Sequence, residues 1–233
     1  MLVLLALFAC APKSAPPVPA VVAAVDVPVP TPSADVVPDV TAVVVAPALT
    51  PEAMAAATPL PTDARQLVNA WRERHNAGVA RLQAGDAAGA LVEARAAVEL
   101  APPELRDEPL VLVAVAASQA GERVIEIEAL ARVGDGADVH WGVYYNGGVD
   151  AITAGRPDLA HRFAQAALAR GGDVSQVAPL AVRAALRVEA FDAALVAGGL
   201  LPADHPTRAD LVRALVGAGR CVDAERLAPG VCG

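Results

Sequence analysis

Few side chains in this sequence combine the type and spacing that catalysis or metal binding requires. The four histidines, His75, His140, His161 and His205, are far apart and lack the short spacing of metal ligands. The run from Gly134 to Asp138 alternates like the start of a calcium loop, but no glutamate closes it. No serine stands in a nucleophile motif, and no phosphate-binding loop or dinucleotide fingerprint occurs. We therefore expect a protein that is not an enzyme, with no catalytic residues, no metal site and no cofactor.

Cys10 directly follows an unbroken apolar run over residues 1–9. The run is too short to cross a bilayer, which needs about 20 residues, but it has the length of the apolar stretch in a secretory signal. Leu7-Phe8-Ala9-Cys10 resembles the lipobox of bacterial lipoproteins. The resemblance implies that residues 1–9 are a signal peptide, that Cys10 is lipidated, and that the protein is anchored in the bacterial cell envelope. Ala11 after the cysteine, in place of an aspartate, resembles the sorting pattern for the outer membrane, on its periplasmic side.

The two remaining cysteines, Cys221 and Cys232, lie close together at the C-terminal end. An exported protein is in oxidising surroundings, and an even pair that remains once Cys10 is lipidated fits one disulfide. The alternative is a thiol redox pair, but no Cys-x-x-Cys spacing is present to lower a thiol pKa. We predict a structural disulfide between Cys221 and Cys232.

A proline-rich segment follows Cys10. Residues 11–62 contain 12 of the chain's 20 prolines and no glycine or aromatic residue. Proline fixes φ, removes an N–H donor and favours an extended, semi-rigid spacer. We therefore predict a disordered linker that begins with the lipidated Cys10 and covers residues 10–62, followed by a folded domain over residues 63–233.

The folded part contains two imperfect copies of one pattern, residues 71–101 and 141–171, set 70 residues apart. Seventy residues make two units of about 35, the length of a helix-turn-helix solenoid repeat. Turns between short helices are predicted at the spacing of these units. The turn residues are Gly85, Gly121, Gly155 and Gly219, with Glu189 in the place of glycine in the fourth unit. The pattern predicts an all-α fold of stacked helical hairpins.

The better-preserved units resemble the tetratricopeptide repeat (TPR). The matching residues in the first copy are Asn76, Gly78, Gly85, Asp86, Ala90, Ala97 and Pro102, and those in the second are Asn146, Gly148, Gly155, Ala160 and Ala167. The three other units retain little beyond the turn and the apolar spacing. The resemblance implies a TPR-like α-solenoid that acts as a protein-binding scaffold, with Sel1-like and other α-solenoids as structural alternatives.

In TPR arrays the first helices of successive units line a concave peptide-binding groove. Transferred by position, the groove residues are Arg72, His75, Val79, Gln83, Tyr145, Val149, Thr153, Arg183 and Arg187, with Glu108, Gln119 and Arg213 from the weaker units. The family's clamp for a terminal carboxylate needs Lys and Asn where this chain has His75 and Val79, so that clamp is not expected. The arginines favour an acidic peptide, unless they are only solvated groups that cover apolar stems.

The formal net charge of −8 argues against a nucleic-acid partner, which would need a basic face. We expect an envelope lipoprotein that presents a TPR-like domain on a flexible tether and binds a protein or peptide. One alternative is a secreted soluble enzyme or thiol redox protein that uses Cys221 and Cys232. Another is a structural protein of the cell wall whose tether threads peptidoglycan.

Overall fold

The structure, a computed structural model, describes the backbone of residues 62–232 and the side chains of residues 66–232. Over this range the chain forms ten α-helices, one 3₁₀ helix at Pro103–Leu105, and no strand. The helices are α1 (Thr62–Gln83), α2 (Ala87–Leu100), α3 (Asp107–Ala120), α4 (Arg123–Arg132), α5 (Trp141–Thr153), α6 (Pro157–Ala169), α7 (Val174–Arg187), α8 (Phe191–Gly199), α9 (Pro206–Gly217) and α10 (Cys221–Leu227). The predicted signal peptide, the predicted lipidation site at Cys10 and the proline-rich linker lie outside the described residues.

The ten described helices pack as five consecutive hairpins, α1/α2, α3/α4, α5/α6, α7/α8 and α9/α10. The first helices of neighbouring hairpins also pack against one another along the whole described stack, whereas the second helices of neighbouring hairpins make at most marginal contacts. Helices that are closer together on one side of a stack make it curve toward that side. The first helices therefore line the inner face of a TPR-like α-solenoid, and the predicted all-α fold class is confirmed.

All five hairpins share one turn geometry. The four predicted turn glycines have φ between 71° and 79°, and Glu189 has φ 56°. In each turn the next backbone N–H donates to the carbonyl five residues earlier at 2.8–2.9 Å, as in a Schellman motif. The residues that donate are Asp86, Glu122, Arg156, Ala190 and Arg220. The prediction that Glu189 replaces a turn glycine is confirmed. The units that match the sequence pattern weakly have the same turn as the well-preserved units.

Glycines allow close helix approach in the first and third hairpins. A Cβ placed on Gly78 or on Gly148 would lie 3.0 Å from the Cδ2 atom of a leucine in the first helix of the next hairpin. The next atom it would meet is, in both cases, the carbonyl oxygen of an alanine in the partner helix of the same hairpin. These neighbours are Leu112 and Ala90 for Gly78, and Leu180 and Ala160 for Gly148. The two glycines therefore occupy equivalent surroundings, as the repeat predicts.

The longest connection between described helices, residues 133–140 between α4 and α5, is held by Arg162 of α6 and by Arg170, which directly follows α6. Arg162 donates hydrogen bonds to main-chain carbonyls at the end of α4 and in this loop, at 2.8 and 3.1 Å. Arg170 donates to two further loop carbonyls at 2.9 and 3.2 Å, and its guanidinium lies 4.7 Å from the centre of the Tyr144 ring. The loop that contains Gly134 to Asp138 is thus an inter-hairpin connection, and hydrogen bonds from arginine side chains to its main-chain carbonyls fix it in place.

The C-terminal tail folds back onto α10. Cys221, the first residue of α10, forms a disulfide with Cys232 across a Cα–Cα distance of 5.9 Å. The Glu225 carboxylate accepts hydrogen bonds from the backbone N–H groups of Gly230 at 2.7 Å and Cys232 at 2.8 Å. These hydrogen bonds favour the charged form and lower the pKa of Glu225. The pairing agrees with the predicted disulfide, and the surrounding hydrogen bonds indicate a structural role.

Candidate functional site

The inner face of the solenoid can be followed position by position, because the shared turn aligns the five hairpins. Counting each turn residue as position 15, the units begin at Trp71, Asp107, Trp141, Ser175 and His205. The ninth positions of successive first helices are Val79, Val115, Val149, Arg183 and Arg213. The thirteenth positions are Gln83, Gln119, Thr153, Arg187 and Gly217. We refer to these two rows, together with Tyr145, as the groove.

A buried histidine connects α1 and α3 in the N-terminal part of the inner face. His75 is 5% exposed, and its Nε2 lies 3.5 Å from Glu108 Oε1 on α3. Its ring meets Trp71 edge-on, with 5.8 Å between the ring centres. Burial lowers the pKa of His75 and raises that of Glu108, the latter against the opposing charge of Arg72. Of the predicted groove residues, His75 therefore packs between α1 and α3, while Arg72 is only partly exposed beside it.

The N-terminal half of the groove is neutral and partly apolar. Val79 is partly buried, whereas Val149 is 39% exposed and Gln83 and Thr153 are exposed. The Thr153 hydroxyl donates to the Val149 carbonyl at 3.0 Å, so its polar group is turned toward its own helix. Tyr145 is half-buried, and burial raises the pKa of its hydroxyl. This stretch offers apolar contact and few charges.

The C-terminal half of the groove is basic. Arg183 and Arg187 are exposed on the same face of α7, and neither forms an ion pair with a carboxylate within residues 66–232. The Nε of Arg183 donates to the Pro179 carbonyl of its own helix at 3.2 Å. The charge of Arg183 also acts on Tyr145, lowering a pKa that burial raises. Arg213 differs, because it is bonded to Asp210 on its own helix.

A second charged cluster, which the sequence analysis did not identify, is buried between α3, α4 and α5. Glu126 is 1% exposed and lies beside Ser118 and Asp150, and Arg123 Nε contacts Asp150 Oδ1 at 3.1 Å. Burial, followed by the hydrogen bond and charge of Asp150, raises the pKa of Glu126 to about 8. The sequence signal for this cluster was the position of Glu126 within its repeat unit. Glu126 is at position 20, where the other units have fully buried alanines: Ala90, Ala160, Ala194 and Ala224.

The outer side carries a cleft of about 230 Å³ between α2, α3 and α4. Its apolar floor is flanked by Arg95 and Glu99 on one side and by Glu128 and Arg132 on the other. Because both signs of charge flank it, this cleft has no preference for a charged ligand.

The side chains of residues 66–232 include no group of three or more His, Cys, Asp or Glu residues placed to hold a metal ion. Among the helices that the structure describes, none is both long and apolar enough to cross a membrane.

Comparisons with known proteins add little to the description of this chain. No protein-family model and no curated protein matches the sequence. Among solved structures, the chain is similar to one titled "Crystal structure of MamA", with 17% identity and a TM-score of 0.43. The match covers 64% of this chain and 89% of that chain. The fold class therefore rests on the turns and packing of the five hairpins described above.

Proposed function

We propose that this protein is a noncatalytic scaffold that binds an extended segment of another protein in its groove. The observation that carries the proposal is the continuous inner face, where side chains at two repeated positions stay accessible on several first helices. An extended peptide can contact successive helices of such a surface without any change in the fold.

We further propose that the domain is presented in the bacterial envelope by lipidated Cys10 and the proline-rich linker. Support comes from Leu7-Phe8-Ala9-Cys10 and from the disulfide between Cys221 and Cys232, since disulfides persist in oxidising compartments. The outer membrane, on its periplasmic side, is the proposed location. A thiol redox role is not favoured, because hydrogen bonds from the tail to Glu225 hold the disulfide in a closed structural loop.

Site-specific photo-crosslinking tests the groove. A photoreactive amino acid at Val149, 39% exposed on α5, is expected to form a covalent adduct with a protein partner in cells. The matched control is Val196, which is 72% exposed on the second helix of the fourth hairpin, away from the groove. Adducts of equal yield at both positions, or an adduct at Val196 alone, would contradict binding in the groove.

Membrane fractionation tests the anchor. The wild-type chain is expected in the membrane fraction, and Cys10→Ala is expected in the soluble periplasmic fraction, because the substitution removes the sulfur that carries the lipid. A Cys221→Ser/Cys232→Ser variant serves as the control and should remain in the membrane fraction. Equal partitioning of wild type and Cys10→Ala into the soluble fraction would refute the anchor and leave the groove proposal intact.

A further inference from the structure

The groove changes character along its length. At the ninth position the first three hairpins have valine, of which Val115 is buried, and the last two have arginine. At the thirteenth position the first three present Gln or Thr, and the fourth presents Arg187. One half of the groove is therefore neutral and the other half is basic, although the chain has a formal net charge of −8.

Two of the three arginines of the basic half, Arg183 and Arg187, form no ion pair with a carboxylate within residues 66–232. Ten ion pairs in the described residues involve an arginine, and they use eight arginines other than Arg183 and Arg187, namely Arg74, Arg81, Arg123, Arg156, Arg162, Arg213, Arg220 and Arg226. Arg183 and Arg187 face no such carboxylate within residues 66–232. The nearest acidic group on the neighbouring first helix, Asp210, is bonded to Arg213. Two adjacent guanidinium groups without a described counter-charge favour an anionic ligand.

The spacing of the two arginines selects the form of that ligand. Residues four apart on a helix are separated by about 6 Å along its axis. Alternate residues of an extended chain, which point to the same side, are about 7 Å apart. Successive carboxylates on one side of an extended peptide can therefore meet Arg183 and Arg187 in turn, each in the two-pronged geometry that guanidinium groups form with carboxylates.

We propose that the groove binds an extended acidic peptide, with alternate carboxylates on Arg183 and Arg187 and small apolar side chains over Val149 and Val79. The proposal rests on the proposed function, since it names the chemistry of the segment that the scaffold binds. A membrane surface fits less well, because both arginines are on the inner face of a curved stack, where a flat bilayer has poor access.

Fluorescence anisotropy with the purified full chain tests this specificity. The probe is a fluorescein-labelled peptide of alternating valine and alanine followed by glutamates at alternate positions, made in both sequence directions. The comparison peptide has glutamine in place of every glutamate. The acidic peptide is expected to bind at least about tenfold more tightly than the glutamine peptide at low ionic strength, and the difference should shrink as salt screens the charges.

A matched pair of double variants locates the binding. Arg183→Glu/Arg187→Glu is expected to weaken binding of the acidic peptide by at least about tenfold. Arg95→Glu/Arg132→Glu changes the net charge by the same amount at the outer cleft and is expected to alter binding by less than about twofold. Circular dichroism of both variants establishes that the helices remain folded.

Three results would overturn the inference: equal binding of the two peptides, equal loss in the two double variants, or Arg183-dependent binding to phosphatidylglycerol vesicles in place of the peptide. These results are separable from failure of the proposed function. An adduct at Val149 in cells together with no preference for the acidic peptide would retain the scaffold and reject its acidic ligand. Absence of the Val149 adduct would reject the scaffold itself.

Discussion

The first and third hairpins are built on the same packing positions but face different neighbours. Gly78 and Gly148 each face a leucine of the next hairpin and an alanine of the partner helix. The alanines concerned, Ala90 and Ala160, are both fully buried. The repeated residues are thus those at which two helices approach most closely, where a larger side chain has no space.

The hairpins differ where they contact other hairpins or solvent. Position 10 is Ala80 in the first hairpin and Asp150 in the third, where Asp150 faces Arg123 and Glu126 of the preceding hairpin. No described hairpin precedes the first one, so Ala80 has no such neighbour. The comparison teaches that the closest helix contacts, within a hairpin and to the next one, fix the repeat, whereas the remaining positions follow the particular neighbours of each hairpin.

The largest effect on stability is expected for Glu126, in the charged cluster between the second and third hairpins. The pKa of Glu126 is raised from 4.5 to about 8 in the folded state, so the folded protein binds more protons than the unfolded chain between these values. Its stabilising contribution is complete below pH 4.5 and is lost as the pH rises through about 8. Glu126→Gln is expected to remove this dependence, raising the free energy of unfolding at pH 9, relative to wild type, by a few kcal/mol, on the order of 3.

Urea unfolding between pH 5 and pH 9 measures the effect of Glu126→Gln. Glu128→Gln is the matched control, because Glu128 is exposed on the same helix and its substitution should leave the pH dependence unchanged. If the free energy of unfolding of wild type and Glu126→Gln changed in parallel with pH, the result would show that the Glu126 carboxyl group is not held protonated in the folded protein.

The last hairpin extends the comparison to a shortened unit. Its second helix, α10, has 7 residues, whereas α2 has 14 and α6 has 13. With less packing surface, this hairpin depends more on the disulfide between Cys221 and Cys232. Reduction is expected to lower the free energy of unfolding by about 2–3 kcal/mol, from loop closure. Thermal unfolding with and without reductant measures it, and Cys221→Ser/Cys232→Ser should be insensitive to reductant. A wild-type midpoint that reductant leaves unchanged would contradict the expectation.

The equivalence of the first and third hairpins can be tested directly. Gly78→Val and Gly148→Val are each expected to destabilise the fold by about 1–3 kcal/mol, with similar losses, because a Cβ at either position would lie 3.0 Å from a leucine Cδ2 atom. Gly217→Val is the control, since no atom lies within 4 Å of the Cβ position there. Chemical denaturation provides the measurement. A loss at only one of the two glycines would break the proposed equivalence.

The smallest effect concerns the fourth turn, where Glu189 has φ 56°. Glu189→Gly is expected to stabilise the protein by about 0.5–1 kcal/mol, because glycine adopts this conformation without steric cost. Glu128→Gly, in the interior of α4, should instead destabilise by up to about 1 kcal/mol. Thermal midpoints of the two variants are compared with wild type. Destabilisation by Glu189→Gly would mean that the Glu189 side chain makes a contact that stabilises the fold by more than the positive φ destabilises it.

The arrangement of hairpins was predictable because it depends on short-range features. Each turn is encoded within a few residues, and each hairpin packs only against its neighbours, so a fixed stride such as Gly85 to Gly155 carries the architecture. The groove positions were assigned by the same register, and their role in binding stays a prediction. The burial of His75 was not predictable, because a histidine on the first helix reads equally well as a ligand contact or as core.

Sequence alone determined the class of fold, the turn at Glu189 and the pairing of Cys221 with Cys232, since each follows from local spacing or from a count of residues. Tertiary structure alone decided which charges remain without a counter-ion and which are buried. Glu126 meets Asp150 only because α4 packs against the following hairpin. Arg183 is exposed and forms no ion pair with a carboxylate within residues 66–232. Electrostatic energy depends on distance and burial, and neither is fixed until the hairpins have stacked.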